Sequence, residues 1–156
     1  DATYQHTAAD ASNLQANLSI VHESRHLNAA LAADEVASAS GTLDSRKLDV
    51  TWTYKQTWVA GGALFDTTGS SDAVLYAPGE LEGSNNGIPD SRGYQLQFEY
   101  VPFGKLASPY TPWLNVRVGL QYTGYSRFNG GSSNYDGFGR SASDNDTTFL
   151  FLWVAL

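Results

Sequence analysis

The sequence predicts an all-β fold, an antiparallel up-and-down transmembrane β-barrel, on three observations. Hydrophobicity alternates with period two over the longest patterned segments, which is the signature of strands with one apolar and one polar face. Aromatic residues make up 13% of the chain and gather near the predicted strand ends, as interfacial girdles require. The links between strands alternate between short and long, so the long ones all fall at one end of an up-and-down sheet.

Eight strands are predicted, at 1–8, 14–22, 26–34, 46–55, 57–66, 93–102, 113–127 and 147–156. TYQHT (3–7) is short and reads as part of a longer strand. In LQANLSIVH (14–22), Leu14, Ala16, Leu18 and Ile20 alternate with Gln15, Asn17 and Ser19. HLNAALA (26–32) is Ala-rich, and its propensity alone also permits a helix. In KLDVTWTY (47–54), Leu48, Val50, Trp52 and Tyr54 oppose Lys47, Asp49, Thr51 and Thr53. TWVAGGALF (57–65) has two central glycines, which weaken or bend a strand. YQLQFEY (94–100) sets Tyr94, Leu96, Phe98 and Tyr100 against Gln95, Gln97 and Glu99. WLNVRVGLQYTGY (113–125) sets Leu114, Val116, Val118, Leu120 and Tyr122 against Asn115, Arg117, Gly119, Gln121 and Thr123. TFLFLWVAL (148–156) is apolar on both faces.

Tight turns are expected at 22–26 and at Lys55–Gln56, an intermediate link at 103–112, and long polar loops at 35–44, 66–93 and 129–146. In a barrel, Leu48, Val50, Trp52, Leu96, Phe98, Val116, Val118 and Leu120 would face lipid. Val118 would lie near the bilayer midplane, where an introduced Arg costs roughly 2–4 kcal/mol. Trp52, Tyr54, Tyr94, Tyr100, Trp113, Tyr122, Tyr125 and Trp153 would form the girdles. Lys47, Asp49, Gln95, Gln97, Glu99, Asn115, Arg117, Gln121 and Arg127 would line the lumen. Glu99 and Arg117 sit on adjacent antiparallel strands and can pair across the wall. Eight strands can close with a side-chain-filled interior. Because the chain starts inside a strand-like segment, the expectation is that these strands are the C-terminal part of a larger barrel.

Composition narrows the function. With 16 acidic against 9 basic residues the formal charge is −7, and there is no basic run, so nucleic acid is not an expected partner. There is no cysteine, so the chain itself offers no thiolate metal ligand and no c-type haem attachment. No apolar run approaches the roughly 18 residues of a membrane helix. The 156 residues suit one domain or one portion of a barrel.

One stretch matches a catalytic pattern. HESRH (22–26) fits H-E-x-x-H, in which two histidines one helical turn apart bind zinc and the glutamate acts as base. The preceding segment is a strand. Ala29 and Ala32 stand where a metzincin continuation needs glycine and histidine, and the remaining histidine, His6, lies upstream. The reading is therefore a solvated periplasmic hairpin turn, with no metal site and no enzyme. Asp136, Asp144 and Asp146 lie in a Gly/Asn/Ser-rich loop that could attract Ca²⁺, but their spacing matches no EF-hand. Asn17-Leu18-Ser19 and Asn145-Asp146-Thr147 fit the glycosylation sequon, which carries little weight if the source is bacterial. No other catalytic constellation is present.

The motifs LQYT (120–123), FNG (128–130), NYDGFGR (134–140) and ASDN (142–145), with the last apolar strand, resemble the C-terminal barrel region of a family of Gram-negative outer-membrane proteins of the cytochrome–porin-like, haem-segment-fused type. VHE (21–23), FDTTGSSDAVLYAP (65–78), PDSRGY (89–94) and PFGK (102–105) fit the same resemblance. It implies a bacterial outer-membrane location and contact with membrane lipid. It implies a porin-like channel or a sheath for an electron-transfer cytochrome segment upstream, with a periplasmic cytochrome as partner and c-type haem on that segment. Two departures stand out: the chain lacks C-x-x-C-H, and it ends in Leu156 rather than the usual terminal Phe or Trp. The alternative from pattern alone is a soluble secreted β-sandwich binding module, lectin-like, which also alternates.

Overall fold

The computed structural model describes residues 1–79, 83–104, 108–110 and 113–156; parts of the 66–93 and 103–112 links, and Lys105 of PFGK, lie outside these residues. Seven strands form one antiparallel sheet in sequence order: β1 (Ala2–Thr7), β2 (Asn13–His26), β3 (Ser40–Tyr54), β4 (Trp58–Gly69), β5 (Ser91–Tyr100), β6 (Asn115–Arg127) and β7 (Thr147–Ala155). A short helix α1 (Asn28–Ala32) follows β2, and a 3₁₀ turn (Ala142–Asn145) precedes β7. The all-β antiparallel meander thus matches the pattern. The sheet is open: β1 and β7 form its two edges. Every neighbouring pair is antiparallel, so an odd-numbered meander leaves β1 and β7 running in the same direction.

The expected strand at 26–34 is absent, which corrects the count from eight to seven. Asn28–Ala32 is Ala- and Leu-rich, has high intrinsic helicity, and closes one helical turn in which the Leu31 N–H donates to the Leu27 carbonyl at 2.8 Å. The expected turn at 22–26 is also absent. β2 runs unbroken to His26, which pairs with Ser40 at the start of β3. HESRH is therefore the last stretch of a 14-residue strand, at the end that carries the links 27–39, 70–90 and 128–146. The other end carries the 8–12 turn, the 101–114 link and the 55–57 turn. In that last turn Lys55 and Gln56 have φ of 47° and 57°, as the two central residues of a type I′ turn require. The Thr57 N–H closes it onto the Tyr54 carbonyl at 3.0 Å.

Register joins the alternating strands into two faces. One row reads Leu14, Trp52, Ala60, Phe98, Leu120, Leu150 across β2 to β7. Neighbouring rows add Ala16, Val50, Gly62, Leu96 and Leu18, Leu48, Leu64, Tyr94. Val116 and Val118 continue the same face opposite Val154 and Leu152. The opposite face reads Asn17, Asp49, Ala63, Gln95, Thr123 in one row and Gln15, Thr51, Gly61, Gln97, Gln121, Phe149 in the next.

No described element covers the apolar face. Leu64, Leu96, Phe98, Leu120 and Leu150 are all exposed, Leu150 by 72%. In a water-soluble domain such a face would be packed against a second layer, yet all described strands belong to this one sheet. The buried apolar side chains among the described residues are few: Val36, Ala63, Tyr135 and Ala142. Three of these four lie in the long-loop cap rather than on the sheet. There Phe65, Tyr125, Phe128 and Tyr135 form a chain of edge-on ring contacts with centroids 5.0–5.5 Å apart.

Candidate functional site: the polar face of the sheet

Eight of the nine residues predicted to share a polar face do share one: Lys47, Asp49, Gln95, Gln97, Glu99, Asn115, Arg117 and Gln121 keep one phase of the register. Arg127 departs from it. A bulge between Arg92 and Gly93 sets Arg127 opposite Arg92 instead of continuing the phase of Tyr125. Its guanidinium reaches Asp90 at 3.5 Å, beside the Arg92–Asp66 pair at 2.8 Å. Arg46, Asp66 and Arg92 form one cross-strand row that bounds the apolar face toward the long loops. Two of the expected girdle aromatics fall on the polar face as well. Tyr125 lies opposite Gly93 in the row of Lys47 and Phe65, and Trp153 lies opposite Arg117. An odd number of steps separates each from the apolar phase, which proximity to a strand end does not reveal.

The electrostatic centre of the polar face is Glu99, only 4% exposed. Arg117 Nε meets its Oε2 at 3.1 Å, the cross-wall pair that strand adjacency suggested. The Gln97 side-chain amide donates to its other carboxylate oxygen. A buried carboxylate needs such partners, since stripping it of water without them costs several kcal/mol. On the other side of the same groove the Asn17 amide donates to Asp49 at 2.8 Å. Lys47, Asp49, Thr51, Gln95, Gln97 and Glu99 line a groove of about 230 Å³, floored by Gly61 and Ala63. The small size of Gly61 and Ala63 on β4 leaves it its depth. The lining offers one ammonium, two carboxylates and two amides, with Arg117 paired to Glu99 beside it: a surface for water or polar solute.

HESRH does not take up the helical geometry of the zinc motif. His22 and His26 lie on a strand, about 13 Å apart at roughly 3.3 Å per residue, against the single helical turn that zincins need. His22 Nδ1 lies 2.7 Å from Asp44 across the β2–β3 ladder. Glu23 is engaged by Arg25 at 3.0 Å, and Arg25 also donates to the Tyr76 hydroxyl at 3.0 Å. No group of three or more His, Asp or Glu side chains comes together in a metal-holding arrangement among the described residues. We expect Glu23→Gln to leave the protein without any change in peptide hydrolysis and His22→Ala to leave its zinc content unchanged; metal analysis and a peptidase assay check both.

The loop aspartates hold backbone instead of clustering. Asp144 closes a capping box by accepting from the Ser141 N–H at 2.7 Å. Asp146 accepts from the Tyr122 hydroxyl at 2.6 Å and the Tyr125 N–H at 2.8 Å, which ties β6 to the start of β7. Asp136 accepts from the N–H groups of Phe138 and Arg140. Sequence reading missed Asp72, which is the staple of the cap. Its carboxylate accepts N–H bonds from Ala37, Ser38, Val74 and Leu75 at 2.9–3.1 Å, joining the 27–39 and 70–90 links. The only clue in sequence is an aspartate after two serines, a common turn composition.

The amides of Leu75 and Ala37 hold the Asp72 carboxyl below its ordinary range, with those of Val74 and Ser38 adding to them and burial opposing. A carboxylate depressed in the folded state stabilises above its unfolded pKa, and that contribution is lost as pH falls through the folded value. The cap is therefore expected to loosen below about pH 4. Protection factors of the Ala37, Ser38, Val74 and Leu75 amides should fall there, and Asp72→Asn should lower the same protection factors at neutral pH.

Comparison with protein-family models, with curated proteins and with solved structures finds no match for this chain.

Proposed function

We propose that this chain is part of the wall of an outer-membrane β-barrel in a Gram-negative bacterium. Its polar face lines the lumen of a porin-like channel or sheathes an electron-transfer cytochrome segment lying upstream. The observation that carries the reading is the uncovered apolar face with edges of the right kind. Toward the short turns it ends in Tyr54, Trp58 and Tyr100 side by side on β3, β4 and β5. Trp58 stacks on Tyr100 with centroids 4.3 Å apart. Toward the long loops it ends in the Arg46–Asp66–Arg92 row. From Tyr54 to Arg46 are eight residue steps, about 26 Å along a strand. Tilted at 35–45° this spans about 20 Å, close to the apolar band of about 25 Å on outer-membrane barrels.

Two of the three links at the other end, 8–12 and 55–57, are short like the periplasmic turns of such barrels, and the 101–114 link is the exception. A lectin-like sandwich is less well supported, because it needs a second sheet over the apolar face. Strand direction favours a wall larger than these seven strands. β1 and β7 run the same way, so antiparallel closure takes an odd number of further strands, consistent with the even strand counts of single-chain bacterial barrels. A second copy related by an axis along the bilayer normal would meet this one through two parallel seams, which fits that rule less well. The motif resemblance to haem-segment-fused barrels supports the sheath version; on this reading any c-type haem belongs to the upstream segment, and the partners are lipid and a periplasmic cytochrome.

The test is conductance in planar bilayers with the full-length protein. Arg117→Glu replaces the partner of Glu99 by a second carboxylate, so an open lumen should shift toward cation preference. A correctly inserted protein without conductance would remove the open channel and leave the sheath. A protein that stays monomeric and soluble without detergent would remove the barrel.

A further inference from the structure

Resting on the barrel reading, we infer that β7 carries a stacking track for a neutral, hydroxyl-rich ring compound, an oligosaccharide, on the polar face. Phe149, Phe151 and Trp153 occupy alternate positions of β7 and stand opposite Gln121, Gly119 and Arg117 of β6. They therefore share the face of the groove residues, while Leu150, Leu152 and Val154 supply the apolar face of the same strand. The alternation makes the three rings a ladder with steps of about 6.6 Å. Phe149 and Phe151 lie nearly parallel, with planes 24° apart and centroids separated by 5.8 Å. Gly119 gives the ladder its shape. A Cβ there would fall 2.1 Å from Phe151 Cζ, so the bare backbone is what lets that ring lie down on β6. Its two neighbours stay accessible: Phe149 is 58% and Trp153 51% exposed, beside the amides and charges of the groove.

The surroundings select the ligand. Beside the rings lie the Gln121 amide, the Gln97 amide, and the Arg117–Glu99 pair, whose charges cancel. A charged ligand meets no net opposite charge here and would lose water without compensation. A purely apolar ligand would strand these donors and acceptors. A pyranose chain satisfies both demands. Its flat C–H faces stack on exposed rings, and its hydroxyls exchange bonds with amides and with the outer edges of an ion pair. Pockets that fix neutral ligands combine aromatic walls with a few planar polar groups in this way.

The experiment is titration of the full-length protein in lipid nanodiscs with a neutral glucose hexasaccharide. The comparison ligands are a polyethylene glycol of equal mass and a uronic-acid hexasaccharide. The hexaglucoside should bind, the other two should not, and Trp153→Ala should weaken binding roughly three- to tenfold, the size of one aromatic contact. Phe149→Leu keeps the apolar volume and removes the ring, so an equal loss there identifies stacking, while unchanged affinity overturns it. The inference is also overturned if no sugar binds, or if only the acidic sugar does. Flotation with the proteoliposomes is read separately: a protein that floats but binds no sugar keeps its place in the membrane and loses the track, whereas one that does not float loses both.

Discussion

Leu96→Arg is expected to cost roughly 2–4 kcal/mol of folding stability in a bilayer, and Val118→Arg no more than about 1 kcal/mol. Leu96 belongs to the row of Val50 and Gly62, midway between the Tyr54–Trp58–Tyr100 rim and the Arg46–Asp66–Arg92 row. An arginine there has no water within reach unless the bilayer thins or the side chain bends to an interface. Val118 pairs with Tyr100 in the rim row itself, from which a long side chain reaches the headgroups. Periodicity alone puts both residues on the apolar face but says nothing of their depth, so the expectation that Val118 lies at the midplane gives way to the register. Unfolding of the two variants in lipid vesicles by urea or guanidinium measures the difference. In water the order would vanish, because Leu96 is already 54% exposed and replacing an exposed leucine with arginine strands nothing. Equal and near-neutral effects in both variants would therefore argue against the membrane reading.

Much of this sheet was legible in sequence because a strand declares its faces at every second residue. KLDVTWTY, YQLQFEY and the NVRVGLQYT part of the third segment keep phase, and the structure leaves that phase intact. What was hidden depended on single residues that change phase or local conformation. The bulge at Arg92/Gly93 moves Arg127 off the polar face without any mark in the alternation. Asn28–Ala32 obeys helix propensity where an up-and-down count asks for a strand. HESRH looks like a turn between two short strands because its polar residues interrupt the alternation, yet His22 pairs with Asp44 and Arg25 with Glu23, so the ladder carries the polar stretch. The polar face was legible as a set, but not its organisation around buried Glu99, since burial of a carboxylate depends on what the neighbouring strands place over it. On β7 the absence of alternation was visible. Its consequence, a row of rings on the polar face, needed the register of β6 to be seen.

Gly93→Ala is expected to destabilise the sheet by about 1–3 kcal/mol, the range for forcing extra volume into a packed site, whereas Gly62→Ala should be neutral or slightly stabilising. The two glycines look alike in sequence and sit on neighbouring strands. At Gly93 a Cβ would lie 2.3 Å from the Gly124 carbonyl oxygen and 2.5 Å from Phe65 Cζ. The carbonyl is backbone of the adjoining strand and cannot rotate away, so relief requires β5 and β6 to separate beside the bulge. That bulge already interrupts the ladder and turns Arg127 toward Asp90, and the ring chain Phe65–Tyr125–Phe128 runs past it into the cap. Displacing Phe65 therefore carries the strain from the wall to the loops. At Gly62 the nearest atoms to a Cβ are 3.8 Å away, a Gln95 carbonyl and a Leu96 methyl, which is ordinary contact. There the methyl group restricts the unfolded chain, an effect of about 0.4–1 kcal/mol where the backbone accepts it. Unfolding midpoints of the two variants, with hydrogen exchange at Tyr125 and Phe128 as the local probe, separate the cases. Gly93→Ala should raise exchange at both amides, and Gly62→Ala at neither. A stable Gly93→Ala with unchanged exchange would mean that the β5–β6 approach at the bulge is looser than this register requires.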